Sequence, residues 1–384
     1  MKILLITQKP PYPAIDGGCK STSSAIESVR TFAEIYAFSL FSDKHPLIDQ
    51  YYKQSGLQWM FEKIHPDINI PDAAKNLLNK MPYHIERYFD KKILLKLEHF
   101  CRKISPDFLW IDGIYMTPYF IHSSILNKIP AIYRSHNLEH KIWKDLKLHE
   151  KNFFKKQYLH LLYYKTYRWE KYILPSFHKI ASISYDDTNF LRNWNQNTLW
   201  IPPAIENRKH IEPPKKPLKE KLRLGFIASF DWYPNVEGFH WLSRLLSEID
   251  NDNTELILAG KNAPPFSHPK IKYLGYVENV YEFYRQIDAV VIPLLSGSGI
   301  KMKTIEAMSF DKPVISTKKG VEGIPAWENE NFLPFNDAES LASALEKLQD
   351  DAIYENIIQN NRKLLQEYFD PDKIRELWQQ VFIK

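Results

Sequence analysis

At 384 residues, with 44% hydrophobic and 25% charged residues, the chain is long enough for two or more globular domains, each with its own core. A formal net charge of +5 favours anionic small molecules or an anionic membrane surface and falls far short of a nucleic-acid-binding signature. Two distant cysteines, Cys19 and Cys101, exclude a disulfide framework or a cysteine metal site and fit a reducing compartment.

The first apolar run, Ile3–Thr7, reads as a buried strand. It is too short for a secretory hydrophobic region and is followed by Pro10, Pro11 and Pro13. No stretch approaches the ~18 apolar residues that span a bilayer, so the expected location is the cytoplasm, with attachment to the inner membrane face as the alternative. Ile26, Val29, Phe32 and Ala33 recur at helical spacing, which predicts a helix over Ser21–Ala33. Strands follow at Ile35–Ser39, Phe108–Ile111, Ala131–Arg134 and Lys179–Ser184, two of them announced by Pro106 and Pro130. Such alternation predicts parallel βαβ units in a first domain over 1–205.

Residues 206–221 carry Pro213, Pro214, Pro217 and a run of basic side chains, the composition of a linker. The alternation restarts in a second domain over 222–368. Strands are predicted at Arg223–Ile227, Glu255–Ala259, Ile271–Leu274, Ala289–Ile292 and Pro313–Ser316, with helices at Glu237–Leu246 and from about Lys301 to Met308. A terminal helix over 369–384 bears Ile374, Leu377, Trp378 and Val381 on one face and is expected to dock back on the first domain.

The densest chemical signal runs from Ile292 to Met308. A buried strand ends at Pro293, a Ser296-Gly297-Ser298-Gly299-Ile300 loop follows, and a helix begins near Lys301. Free N–H groups at a helix start attract anions, and Lys301 and Lys303 add positive charge there. Glu306 shares a helix face with Lys303. The set suits a nucleoside diphosphate: loop and lysines for phosphates, carboxylate for ribose hydroxyls. On spacing alone, a helix-capping loop with a Lys–Glu surface pair explains it equally. It is not a Walker loop, because G-x-x-x-x-G-K-[ST] is absent.

This segment resembles the donor-binding motif of retaining glycosyltransferases of family four, which have the GT-B fold. More closely it resembles a bacterial sugar-transferase subgroup with a Gly-Ser-Gly-x-[Arg/Lys]-x-Lys-x-x-Glu-Ala-Met pattern. The likeness extends upstream to Gly225–Asn235, Leu258-Ala259-Gly260 and Leu274–Val277, and downstream through Asp311–Thr317 and Gly320–Gly323. It implies an α/β architecture of two Rossmann-like doubly wound domains facing a central cleft. It also implies transfer of a sugar from a nucleotide-sugar donor, such as a UDP- or GDP-sugar, to a glycan or lipid-linked acceptor with retention of configuration and without a metal. In that pattern Glu306 matches the second glutamate of a Glu-x7-Glu motif, and the first falls at Ser298. Gly275, Tyr276 and Val277 match the base-binding stretch, and Ser298, Gly299 and Ile300 belong to the donor loop. Lys301 and Lys303 stand in for the family's basic pair, whose place Asn235 occupies. Readings that share this fold are a nucleotide-sugar epimerase or hydrolase and a non-catalytic partner subunit, for which Ser298 argues.

In the first half the likeness is thinner. Asp16-Gly17-Gly18 precedes a helix, and the resemblance makes Gly17 and Gly18 a loop near the donor diphosphate; a plain β–α turn is the alternative. His136, following strand Ala131–Arg134, matches a histidine that often meets the donor sugar. Asp107, Asp112 and Tyr115 flank another strand and are placed toward the acceptor by position. Ser184, Asp186 and Asp187 resemble a mostly structural Ser-x-x-Asp stretch. Residues 140–172 interleave lysines with Trp143, Phe153, Phe154, Tyr158 and Trp169, which reads either as a membrane-interface helix or as a helical cover with a solvated basic face.

Overall fold

The computed structural model describes residues 1–14, 16–205, 221–250 and 253–383. The linker expected at 206–221 therefore lies outside the described residues, Lys221 excepted. Contacts divide the chain into two compact units. One comprises Met1–Ala204, Ser298–Ile300 and Pro371–Lys384; the other comprises Ile205–Gly297 and Lys301–Asp370.

In the first unit the strands are β1 (Lys2–Thr7), β2 (Glu34–Phe41), β3 (Gln58–Lys63), β4 (Phe108–Asp112), β5 (Ala131–Ser135), β6 (Lys179–Ser182) and β7 (Thr198–Trp200). They form one parallel sheet in the order β3-β2-β1-β4-β5-β6-β7. Runs such as Ile3-Leu4-Leu5-Ile6 are buried on both faces, as a sheet covered on each side requires. One cover is the pair of helices Glu139–His149 and Phe153–Ile173, two helices where the sequence suggested one segment. They fold back as a hairpin: the Glu139 amide donates to Glu170 at 2.7 Å, His140 Nδ1 lies 2.5 Å from Glu170 Oε2, and Lys147 meets His160 at 3.1 Å. Trp169 and Ile173 of the second helix join the core on this side of the sheet.

The opposite face is closed by the helix Gly17–Val29 and by the last helix, Pro371–Val381. Trp378 is fully buried, its ring 4.9 Å from that of Trp110 on β4. The Arg134 guanidinium lies 5.1 Å from the Trp378 ring centroid. The two ends of the chain thus build one core.

The second unit has β8 (Leu222–Ile227), β9 (Thr254–Ala259), β10 (Ile271–Tyr273), β11 (Ala289–Ile292), β12 (Val314–Ser316) and β13 (Leu333–Pro334), all parallel, in the order β10-β9-β8-β11-β12-β13. Renumbered within the unit this is 3-2-1-4-5-6, the doubly wound order. The helix Tyr233–Glu248 packs so closely on the end of β11 that a Cβ at Gly238 would lie 2.3 Å from the Pro293 carbonyl oxygen. Only glycine fits there.

Candidate functional site

In a doubly wound sheet the strand order reverses between two central strands, and the crevice beyond their carboxyl ends is where ligands bind. The first unit reverses between β1 and β4, the second between β8 and β11. Most of the residues singled out in the sequence fall at these two places.

In the first unit a cavity of about 220 Å³ opens there, lined by Thr7 and Lys9 after β1, Gly18 and Thr22, Asp112 and Tyr115 after β4, and His136 and Glu139 after β5. His136 Nε2 lies 2.9 Å from Asp112 Oδ1. Thr22 Oγ1 donates to Asp112 Oδ2 at 2.8 Å, Thr7 Oγ1 does so at 3.4 Å, and Arg134 Nε lies 3.8 Å from Oδ1. Burial works against the charge on Asp112, but His136, Arg134 and Thr22 outweigh it and hold the carboxyl below its ordinary value. A fixed carboxylate of this kind sets the tautomer and plane of the imidazole it faces. Glu139 is the converse case. Burial, and then the neighbouring Glu170, raise its carboxyl to about 7.

The glycine pair departs from expectation. Gly17 and Gly18 are no loop; they are the first turn of the helix Gly17–Val29, which starts four residues earlier than its apolar spacing indicated. Asp16 is the reason: its side chain accepts from the Cys19 amide at 2.8 Å and caps the helix. Lys9 Nζ in turn lies 2.5 Å from Asp16. Gly18 lines the cavity; Gly17 does not figure among its lining residues. Asp107 is also displaced. It precedes β4 and accepts from the Lys2 amide at 2.8 Å, at the opposite end of the strand from Asp112. Ser184 caps the helix Tyr185–Leu191, and Asp187 pairs with Lys141 at 2.7 Å. Thr7, Lys9 and Thr22 were not singled out in the sequence, although their places just past β1 and one turn into the next helix were the available signal.

In the second unit the helix Met302–Ser309 follows β11. Lys303 Nζ donates to Asn235 Oδ1 at 2.6 Å and lies 5.1 Å from the Phe226 ring centroid; Asn235 Nδ2 donates to the Ser229 carbonyl at 2.6 Å. Asn235 thus anchors Lys303. Burial, and then the charge of Lys301, lower the Lys303 ammonium to about 7. Lys301 is buried and lies 3.4 Å from Glu322, which also meets Lys319 at 3.1 Å. Ser296 Oγ donates to Glu237 at 2.7 Å, a partner the sequence did not suggest. Gly297 has φ +107°, and a Cβ there would meet the Trp232 ring at 3.3 Å. Glu306 is half-buried on this helix.

Gly299 has φ +75°, the left-handed region that favours glycine, between the buried Ser298 and Ile300. Among the described residues the Ser298 hydroxyl has no hydrogen-bond partner. Gly275, at φ +76°, has open space where a Cβ would lie; its carbonyl accepts from the Gly260 amide at 2.8 Å. Tyr276 is exposed, with Lys261 4.3 Å from its ring centroid, and Val277 follows it in the loop after β10. Among the described residues no group of three or more His, Cys, Asp or Glu side chains is placed to hold a metal ion, and no helix is long and apolar enough to cross a membrane.

Two parallel doubly wound sheets, each with polar and cationic side chains at its switch point, define a two-unit α/β protein. Comparison with known proteins makes this more specific. Residues 221–351 match the family model described as glycosyl transferases group 1. An uncharacterized 44.6 kDa protein in the cps region of Klebsiella pneumoniae is 23% identical over 372 aligned residues, covering 88% of each chain. Sucrose-phosphate synthase from Thermosynechococcus elongatus superimposes with a TM-score of 0.70 at 17% identity, over 100% of this chain and 99% of that one. Alr3699/HepE of Anabaena, solved in complex with UDP-glucose, does so with a TM-score of 0.64 at 14% identity, over 99% and 98%. The chain has the GT-B fold of two Rossmann-like units.

Proposed function

We propose that this chain is a glycosyltransferase that moves a sugar from a nucleotide-sugar donor to a glycan or lipid-linked acceptor, with retention of configuration and without a metal. The observation that carries the reading is the segment after β11. It lies at the switch point of the unit whose residues match the glycosyl transferases group 1 model, and it sets Lys303 on Asn235 and Lys301 beside Glu322.

On this reading the donor diphosphate is held by the Ser298-Gly299-Ile300 backbone and by Lys301 and Lys303, and Glu306 accepts from the ribose hydroxyls. The base lies on the Gly275-Tyr276-Val277 backbone. Preorganised cations stabilise the charge that grows on the leaving diphosphate as the glycosidic bond breaks. In the first unit, His136, oriented by Asp112, donates or accepts at a sugar hydroxyl, and Gly18 and Lys9 border the same cavity. The UDP-glucose complex of Alr3699/HepE and the relative from the cps region of Klebsiella pneumoniae support a role in polysaccharide assembly.

The test is a thermal-shift panel of UDP- and GDP-sugars on the full chain and on Glu306→Ala. One donor class is expected to raise the melting temperature, and Glu306→Ala is expected to weaken that donor several-fold or more. An equal shift in parent and variant refutes the ribose assignment. Anomeric analysis of the product then reads retention directly, and turnover in excess chelator reads metal independence.

A further inference from the structure

The helical hairpin does more than cover the sheet. Its inner face, including Leu159, Leu162, Thr166, Trp169 and Ile173, is buried. Its tip is not: Leu148 is 62% exposed, Phe153 65% and Phe154 82%. Large apolar side chains this open to water mark a contact surface more often than a solvated helix end.

Charge selects the occupant. From Lys144 to Lys156 the tip carries five lysines against Asp145 and Glu150, and Glu150 already pairs with Lys155 at 2.6 Å. A second copy seated on this surface would bring two lysine clusters together, which is repulsive. A sheet of anionic headgroups would neutralise the lysines while the Phe side chains enter the acyl boundary.

We propose that the hairpin tip forms a peripheral contact surface for an anionic lipid bilayer. Phe153 and Phe154 insert, and Lys151, Lys155 and Lys156 engage headgroups. The surface lies within the first unit and does not depend on which reaction the protein performs.

The experiment is co-sedimentation of the full chain with phosphatidylcholine vesicles, with and without about 30% phosphatidylglycerol. Binding is expected with the anionic vesicles alone and is expected to fall as salt rises. Two exposed-site variants, F153S with F154S and K151E with K155E and K156E, should each lower partitioning by about tenfold or more. Far-UV circular dichroism checks that both retain the parent fold. Absence of sedimentation with anionic vesicles, equal sedimentation with neutral ones, or parent-like binding of both variants overturns the proposal. So does a dimer in analytical ultracentrifugation that F153S with F154S abolishes, since the occupant would then be a second copy.

Discussion

Replacing Lys303 with methionine removes an ammonium that donates to Asn235 at 2.6 Å and stands over the Phe226 ring, while keeping much of the side-chain volume. In the free protein burial, and then Lys301, bring this lysine from 10.5 down to about 7. At 1.36 kcal/mol per unit that is on the order of 4–5 kcal/mol against the charged form. A diphosphate brought against the ammonium acts in the opposite direction and restores the charge. At about pH 8 the free protein holds Lys303 mostly neutral and the complex holds it protonated, so binding draws close to one proton from solvent. Calorimetry of UDP or GDP binding in two buffers of different ionisation enthalpy reads that proton, because the measured heat differs with the buffer. At about pH 8 Lys303→Met should abolish the difference while weakening binding about tenfold or more. Equal heats in both buffers at that pH, or an unchanged proton uptake in Lys303→Met, would refute the reasoning. The same lysine sets a stability slope. Between about pH 7 and 10.5 the unfolded chain holds the proton and the folded chain does not, so stability rises with pH across that window, and Lys303→Met should flatten the rise.

Asp112→Asn leaves Arg134 buried without its carboxylate and His136 without its orienting partner, and should cost on the order of 3 kcal/mol at neutral pH by chemical denaturation. Because the folded-state value of Asp112 is depressed, its stabilisation is present above the ordinary carboxylate value of 3.8 and is lost as pH falls through the folded value, so parent and variant should converge in acid. Transfer activity should fall by about tenfold or more even where the variant is folded. Glu139→Gln should act in the other direction. The folded protein holds that proton up to about 7 against 4.5 in the unfolded chain, so stability falls as pH rises through this window; above it the variant should exceed the parent by ~1–3 kcal/mol, and below it the two should match. Trp378→Ala should cost ~3–5 kcal/mol by urea titration, because a fully buried indole leaves a cavity between Trp110 and Arg134.

Strands buried on both faces were legible because they appear as uninterrupted Ile, Leu and Val runs, as in β1 and β11. The edge strands β3, β7 and β13 were not, whereas β10, also at an edge, was expected at Ile271–Leu274. β3 reads Gln-Trp-Met-Phe-Glu-Lys and is only half-buried along its middle, and β13 is two residues long. Neither leaves an apolar pattern to find. At Gly17-Gly18 the resemblance pointed to a loop, yet a capping carboxylate at Asp16 was enough to begin the helix there. Asp107 and Asp112 looked like neighbours in sequence. Five steps along an extended strand separate them by about 16 Å, so only the second reaches the cavity. The lysines after β11 could be read as positive charge. That one of them rests on Asn235 at near-neutral pKa depends on contacts between distant residues, which composition and spacing do not carry.

The first unit is assembled from both extremes of the polypeptide, and this bears on how it is made. When Ala204 leaves the ribosome, the sheet face bearing Ile3, Leu5 and Trp110 still lacks its last helix. At 5–20 residues per second, roughly ten to thirty seconds pass before Pro371 emerges, and the second unit can fold in that interval. The nascent amino-terminal half therefore waits with an apolar wall uncovered, and a fragment ending near Ala204 should be a client for chaperones and a poor candidate for separate expression.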